Sequence, residues 1–246
     1  MASIPLSTQA VKAVKTDLTK WFDECKSAHL SEALAYALGF NTNAALLKEI
    51  ELQGNDPLFY IVDEERLTKR LNALGYPVAN DFFFDAADIP EMRETLCLRS
   101  FDIEYKTKRQ KAWRNLMVSA VNEALRRRLF SLRPDDNRWP SHQTMGSHIF
   151  EFQLTTGDLA RVKVRDIGYS EIAVEVMLNP RTGGSPIAYY ATLQECDAVA
   201  MSWLERRDGA WLQSAMDSFR CKRPVLERLF SLEVEPLGFG DKGAVK

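Results

Sequence analysis

The chain has 246 residues, with 32 Lys+Arg against 34 Asp+Glu and a formal net charge of −2. Hydrophobic residues at 46% and charged residues at 27% exclude a disordered or collagen-like chain, and a domain of this length needs no disulfide or metal staple. No stretch nears the roughly 20 apolar residues of a membrane span.

The start, Met1–Ser7, lacks the basic n-region and continuous apolar core of a signal peptide. Cys25, Cys97, Cys196 and Cys221 are scattered, with no C-x-x-C pair. The expectation is a cytoplasmic protein with free thiols.

The elements follow in chain order. Leu6 to Lys26 has Val11, Val14, Leu18, Trp21 and Phe22 at helical spacing. A second helix is predicted over Leu30 to Leu38, stopped by Gly39, and a third over Asn43 to Leu52, stopped by Gly54. Asp63 caps a fourth that runs to Leu74 before Gly75 and Pro77. Asn80 to Glu94 reads as an acidic, aromatic loop with a short helix, and Leu96 to Tyr105 as a loose strand. Thr107-Lys108-Arg109-Gln110 fits a capping box and opens a helix to Phe130, with Trp113, Met117, Ala120, Val121 and Ala124 along one stripe. Lys108, Lys111, Asn115, Ser119, Asn122 and Arg126 form the opposite, polar face.

After the Arg133–Pro140 loop the period changes to two. His148 to Leu154, Leu159 to Ile167 and Glu171 to Leu178 predict an antiparallel meander, with Ile187 to Thr192 as a fourth strand. Helices are then predicted over Leu193 to Arg207 and Ala210 to Leu232, the second interrupted by Pro224. The expected fold class is therefore α+β: a helical N-terminal domain followed by a small antiparallel β-meander with C-terminal helices. The expected domains are residues 1–138 and 139–236, with 237–246 as a flexible tail.

Two strings look like motifs. Gly238-Phe239-Gly240-Asp241-Lys242-Gly243 matches G-x-G-x-x-G, but only three residues follow, too few for a helix to supply the amides that bind pyrophosphate. Leu34-Ala35-Tyr36-Ala37-Leu38-Gly39-Phe40-Asn41-Thr42-Asn43-Ala44-Ala45-Leu46 resembles the core of a helix-turn-helix, whose second helix enters the major groove. That resemblance implies a base contact from Asn43. Glu49 and Glu51 would meet phosphates unfavourably, so a plain helical hairpin is the better expectation.

Charge supplies the strongest functional signal. Residues 1–98 carry a net −6, residues 99–138 a net +6 and residues 139–246 a net −2. Lys108, Arg109 and Lys111 sit in the first turn of a helix, where the macrodipole disfavours cations, so local stability does not explain them. A bound anion would. Asn115, Asn122 and Arg126 extend this candidate nucleic-acid-binding face, and Arg161, Lys163 and Arg165 form a second row on one sheet face. Phe82, Phe83 and Phe84, flanked by acids, form a candidate protein contact.

Catalysis finds little support. His29, His142 and His148 fit no ligand pattern, and no G-x-S-x-G, Walker or kinase string occurs. The expected function is non-enzymatic: contact with nucleic-acid backbone through the basic central helix, with weak sequence preference. The alternative is a protein-interaction or inhibitor module that uses the acidic, aromatic N-terminal region. The partners are nucleic acid or protein, a second copy of the chain included, with no membrane, cofactor or metal.

Overall fold

A computed structural model describes residues 2–54, 57–79, 82, 89, 105–133, 136, 138–140, 146–183, 191–206, 210–213 and 215–243. The chain divides into two compact units, residues 1–99 with 237–239, and residues 100–236 with 240–246. The division falls ahead of the basic helix rather than after it, so the acidic and basic segments belong to different units. Among the described residues no helix is long and apolar enough to cross a membrane.

In the first unit β1 (Ala2–Pro5) pairs antiparallel with β2 (Phe59–Val62). Between them run α1 (Thr8–Trp21), α2 (Ser27–Ala37) and α3 (Asn43–Gln53), and α4 (Glu64–Ala73) follows β2. The caps are local chemistry: Ser7 Oγ accepts from Ala10 N–H at 3.2 Å, and the Asp63 carboxylate accepts from Arg66 N–H at 2.9 Å. Ala10, Val14 and Leu18, one turn apart, turn α1 into a core with Ile4, Leu30, Leu34, Val62, Leu67 and Leu71. α3 buries Leu46 alone, leaving Leu47 and Leu52 exposed.

The second unit corrects the expected fold class. Its strands form a seven-stranded sheet, β3-β4-β5-β6-β7-β9 with β8 also paired to β6, not a small meander followed by helices. β3 (Ser147–Gln153), β4 (Leu159–Gly168) and β5 (Glu171–Leu178) match the predicted strands closely. The stretch predicted as two helices contains β6 (Ala198–Glu205), β7 (Trp211–Gln213), a 3-10 turn at Met216–Ser218 and β8 (Arg220–Cys221). Among the described residues of this stretch only α6 (Arg223–Phe230), with Pro224 in its first turn, is an α-helix. The reason is composition: Ala198-Val199-Ala200-Met201-Ser202-Trp203-Leu204-Glu205 carries no polar alternation of the kind Glu171 and Glu175 give β5, and in β6 every side chain but the half-buried Trp203 is buried.

α5 (Lys108–Arg126) opens with the capping box and packs against β5, β6 and α6. Its apolar stripe of Trp113, Met117, Ala120, Val121 and Ala124 is buried as expected. Val118, Leu125, Asn115 and Asn122 are buried too. The expected polar face is therefore exposed only towards its ends.

The Gly-rich end is part of the fold. Leu237 and Phe239 are buried in the first unit, and β9 (Gly240–Gly243) pairs parallel with β7. Gly238 has φ +73°, and a Cβ there would lie 2.2 Å from Phe59 Cβ. Its glycine serves close packing against β2 rather than a phosphate. Gly238→Ala is expected to destabilise the first unit by about 2 kcal/mol or more, from left-handed backbone cost and overpacking together. Chemical denaturation checks this, and a loss below about 0.5 kcal/mol, the ordinary surface range, would contradict it.

Candidate functional site

The expected basic site begins at the start of α5. Thr107 accepts from Gln110 N–H at 3.2 Å while Gln110 Oε1 accepts from Thr107 N–H at 2.9 Å, which fixes the first turn. Lys108, Arg109 and Lys111 all project to solvent. Lys108 Nζ lies 2.8 Å from Glu227 of α6 and 5.3 Å from the Phe230 ring centre, and Lys111 lies 5.8 Å from the same ring. Arg109 donates to Phe219 O and stands 5.2 Å over the Phe219 ring.

Contacts ascend together along α5 and the segment that begins with α6. Lys108 meets Glu227 and Lys111 meets Phe230. Further along, Asn115 Nδ2 donates to Leu229 O at 2.9 Å and Leu232 O at 2.8 Å, and Asn122 Nδ2 donates to Glu235 O at 2.7 Å. α5 and α6 therefore run parallel, with their N-termini at the same end. Arg220, Lys222 and Arg223, next to Phe219 in the chain, come to the end where Lys108 and Arg109 stand. Sequence reasoning missed them because the run was averaged into a mildly acidic C-terminal segment, although Arg220-Cys221-Lys222-Arg223 was visible as a cluster.

The other expected residues are placed elsewhere. Asn115 and Asn122 are buried, with their amides committed to backbone carbonyls rather than offered to solvent. Arg126 is exposed at the far end of α5, 3.9 Å from Glu123. Arg161 pairs with Glu151 and donates to Thr182 O, both at 2.6 Å. Lys163 faces Glu175 across the β4–β5 ladder, and Arg165 lies 3.9 Å from the Glu175 carboxylate. Burial pushes the Glu175 carboxyl up against the opposing pull of Lys163 and Arg165. The same face carries Trp203, two strands from Arg165 through Ala173, an aromatic hidden by the mistaken helix. Phe150 is on the other face, where Arg127 at the end of α5 covers its ring at 5.1 Å. The two cation groups thus stand on opposite faces of the sheet.

Phe82 packs on Phe22 at 4.9 Å and edge-on to Trp21 at 6.2 Å between ring centres, so it belongs to the first unit's core margin. Phe83, Phe84 and His142 lie outside the described residues, as do residues 187–190 of the expected fourth strand.

No family model, curated protein or solved structure matches this chain. The reading of the site rests on its own chemistry.

Beside the basic end lies a dense polar cluster. Arg228 holds both oxygens of Asp158, at 2.9 and 2.6 Å, and Asn179 bridges Asp158 and Asp197 at 2.8 and 3.0 Å. Arg181 and Lys222 both pair with Asp197. The hydrogen bonds from Arg228, against the opposing effect of burial and with help from Asn179 and Thr156, bring the Asp158 carboxyl down to about 2. Burial would raise Asp197, but hydrogen bonds from Lys222, Arg181 and Asn179 outweigh it and hold that carboxyl at about 2 as well. Burial pushes the Cys221 thiol up to about 12, so it is no nucleophile at neutral pH.

Two outcomes follow for this region. A carboxylate whose folded value is depressed adds stability above its unfolded value and loses it as the pH falls through the folded one. Asp158→Asn should lower the thermal midpoint at neutral pH and reduce its further fall between 3.8 and about 2, read from melting curves across that range. Asn115→Ala should cost about 1–3 kcal/mol of stability by stranding the carbonyls of Leu229 and Leu232, measured by denaturation.

Proposed function

We propose that the second unit binds nucleic-acid backbone, with weak sequence preference, through the cations gathered where α5 and α6 begin. The observation that carries this reading is convergence: Lys108, Arg109 and Lys111 from one segment meet Arg220, Lys222 and Arg223 from another at two parallel helix starts. Neither helix has an acidic residue in its first turn. Both place cations where the macrodipole is positive, at a cost of roughly 0.3–1 kcal/mol each. A phosphate backbone would reverse that cost, taking hydrogen bonds from exposed amides and charge from the side chains. Asn115 and Asn122 have no part in this contact. Arg126 and the Arg161, Lys163 and Arg165 row stand apart from it.

The test is fluorescence anisotropy of labelled duplex and single strands across a salt series. Affinity should fall by about 0.9 log units per log unit of salt for each duplex phosphate contacted. The Lys108→Ala/Arg109→Ala/Lys111→Ala variant should lose about tenfold or more in affinity and show a shallower salt slope. Arg161→Ala/Arg165→Ala should match the unaltered chain. Absence of binding at low salt, or equal loss from both variants, overturns the reading.

A second reading has one observation behind it. α3 exposes Leu47 and Leu52 in an acidic unit, which favours a protein contact through that helix over a DNA contact through Asn43.

A further inference from the structure

Lys108 and Glu227 bring opposite charges together at the end where α5 and α6 begin. The Lys108 ammonium donates to both oxygens of the Glu227 carboxylate, at 2.8 and 3.1 Å. Both side chains are more than half exposed, 56% for the lysine and 53% for the glutamate. Asp158 and Asp197 differ from Glu227, because their side chains are only 5% and 19% exposed where they hold Arg228 and Lys222.

An exposed ion pair of this kind adds little to stability, because water screens it and two long side chains lose freedom. Lys108 also has a second contact, its ammonium lying 5.3 Å from the Phe230 ring centre. The consequence for an anion is larger. A lysine that neutralises a phosphate of a polyanion releases a condensed counterion, which is the source of most non-specific affinity. Lys108 already has a carboxylate in that place. A phosphate must displace it or settle beside it, and in both cases little net charge is neutralised. Lys111, one turn along, approaches the same ring and has no acidic partner among the described residues.

We propose that Glu227 is a built-in competitor of the nucleic-acid backbone, holding Lys108 until a phosphate takes its place. This inference rests on the nucleic-acid reading and adds the residue that restrains it. Arg109, Lys111, Arg220 and Arg223 draw the polyanion in, and Lys108 then changes partner. Affinity is thereby lower, and less dependent on salt, than the number of exposed cations implies. An isolated phosphate has no neighbouring contacts to raise its local concentration at Lys108, so the exchange favours a backbone that carries several.

The experiment compares the unaltered chain with Glu227→Gln, Lys108→Ala and the double variant, by anisotropy of a labelled duplex over a salt series. Glu227→Gln keeps the helix preference of the side chain, and melting curves establish that each variant is folded. It should bind about three- to tenfold more tightly at low salt, with a slope of log affinity against log salt steeper by about 0.9, one further phosphate contact. Glu227→Ala is the second variant and should act in the same direction. In the Lys108→Ala background, removing the carboxylate should leave the slope unchanged. Absence of binding by the unaltered chain removes the nucleic-acid reading and this one together. Binding that neither Glu227 variant strengthens overturns the competition alone. A gain and slope change that are equal with and without Lys108 also overturn it, because Glu227 is then a charge acting at a distance.

Discussion

The amide groups of Asn115 and Asn122 fix the architecture around the basic site. Each is buried on α5, and each donates to carbonyls of the chain between Leu229 and Glu235. A buried amide or carbonyl left without a partner costs about 1–3 kcal/mol, so this segment is held to α5 over two turns rather than left to find its own path. Val118 and Leu125, which sit among these residues on α5, are covered as a result. With Phe219 held at Arg109 and residues 229–235 held further along α5, α6 runs alongside α5 in the same sense. The two helix starts then fall at the same end, and the cations of both come together. A stretch that looks like a polar helix face is in fact the seam that positions the charge.

Gathering cations has a cost that the same region offsets with aromatic faces and three acidic partners. Lys108 and Lys111 share the Phe230 ring, and Arg109 covers Phe219. Such contacts are worth roughly 0.5–1 kcal/mol at exposed positions. Glu227 answers Lys108, while Asp158 and Asp197 engage Arg228, Lys222 and Arg181. The acids sit on the sheet side of the cluster, holding some of the cations to the fold. Arg220 and Arg223 are exposed at the end where Lys108 and Arg109 stand.

Where side-chain periodicity was strong, the sequence was legible. The Asp63 and Thr107 caps close their helices in the structure as read, and β5 begins and ends where alternation placed it. Failure came where the residues themselves carry no polar alternation. Ala198-Val199-Ala200-Met201-Ser202-Trp203-Leu204-Glu205 has no polar face to reveal a period, and its Ala, Met and Leu suit a helix as well as a strand. The sheet decided the matter by supplying β5 as a neighbour. β1 was missed for a related reason, being a four-residue strand whose partner β2 lies more than fifty residues away. In the basic site the lysines and arginine of α5 could be read from helix polarity. The contribution of Arg220 and Arg223 depended on a chain reversal that no local pattern records.

Segment charge also needs reinterpretation in space. The basic block of residues 99–138 includes Arg114, which lies 2.5 Å from Asp241, Arg127, which lies 2.7 Å from Glu123, and Arg138, which lies 2.7 Å from Asp136. These cations are answered within the second unit. The C-terminal segment, mildly acidic in sum, supplies Arg220 and Arg223 to the same end as Lys108 and Arg109. A sum over consecutive residues weights a paired arginine and an exposed one alike. The field that an approaching polyanion meets is set by the cations left turned to solvent, and by the helix amides they stand beside. The arrangement that matters is therefore spatial: two segments of opposite average charge combine to make one positive end.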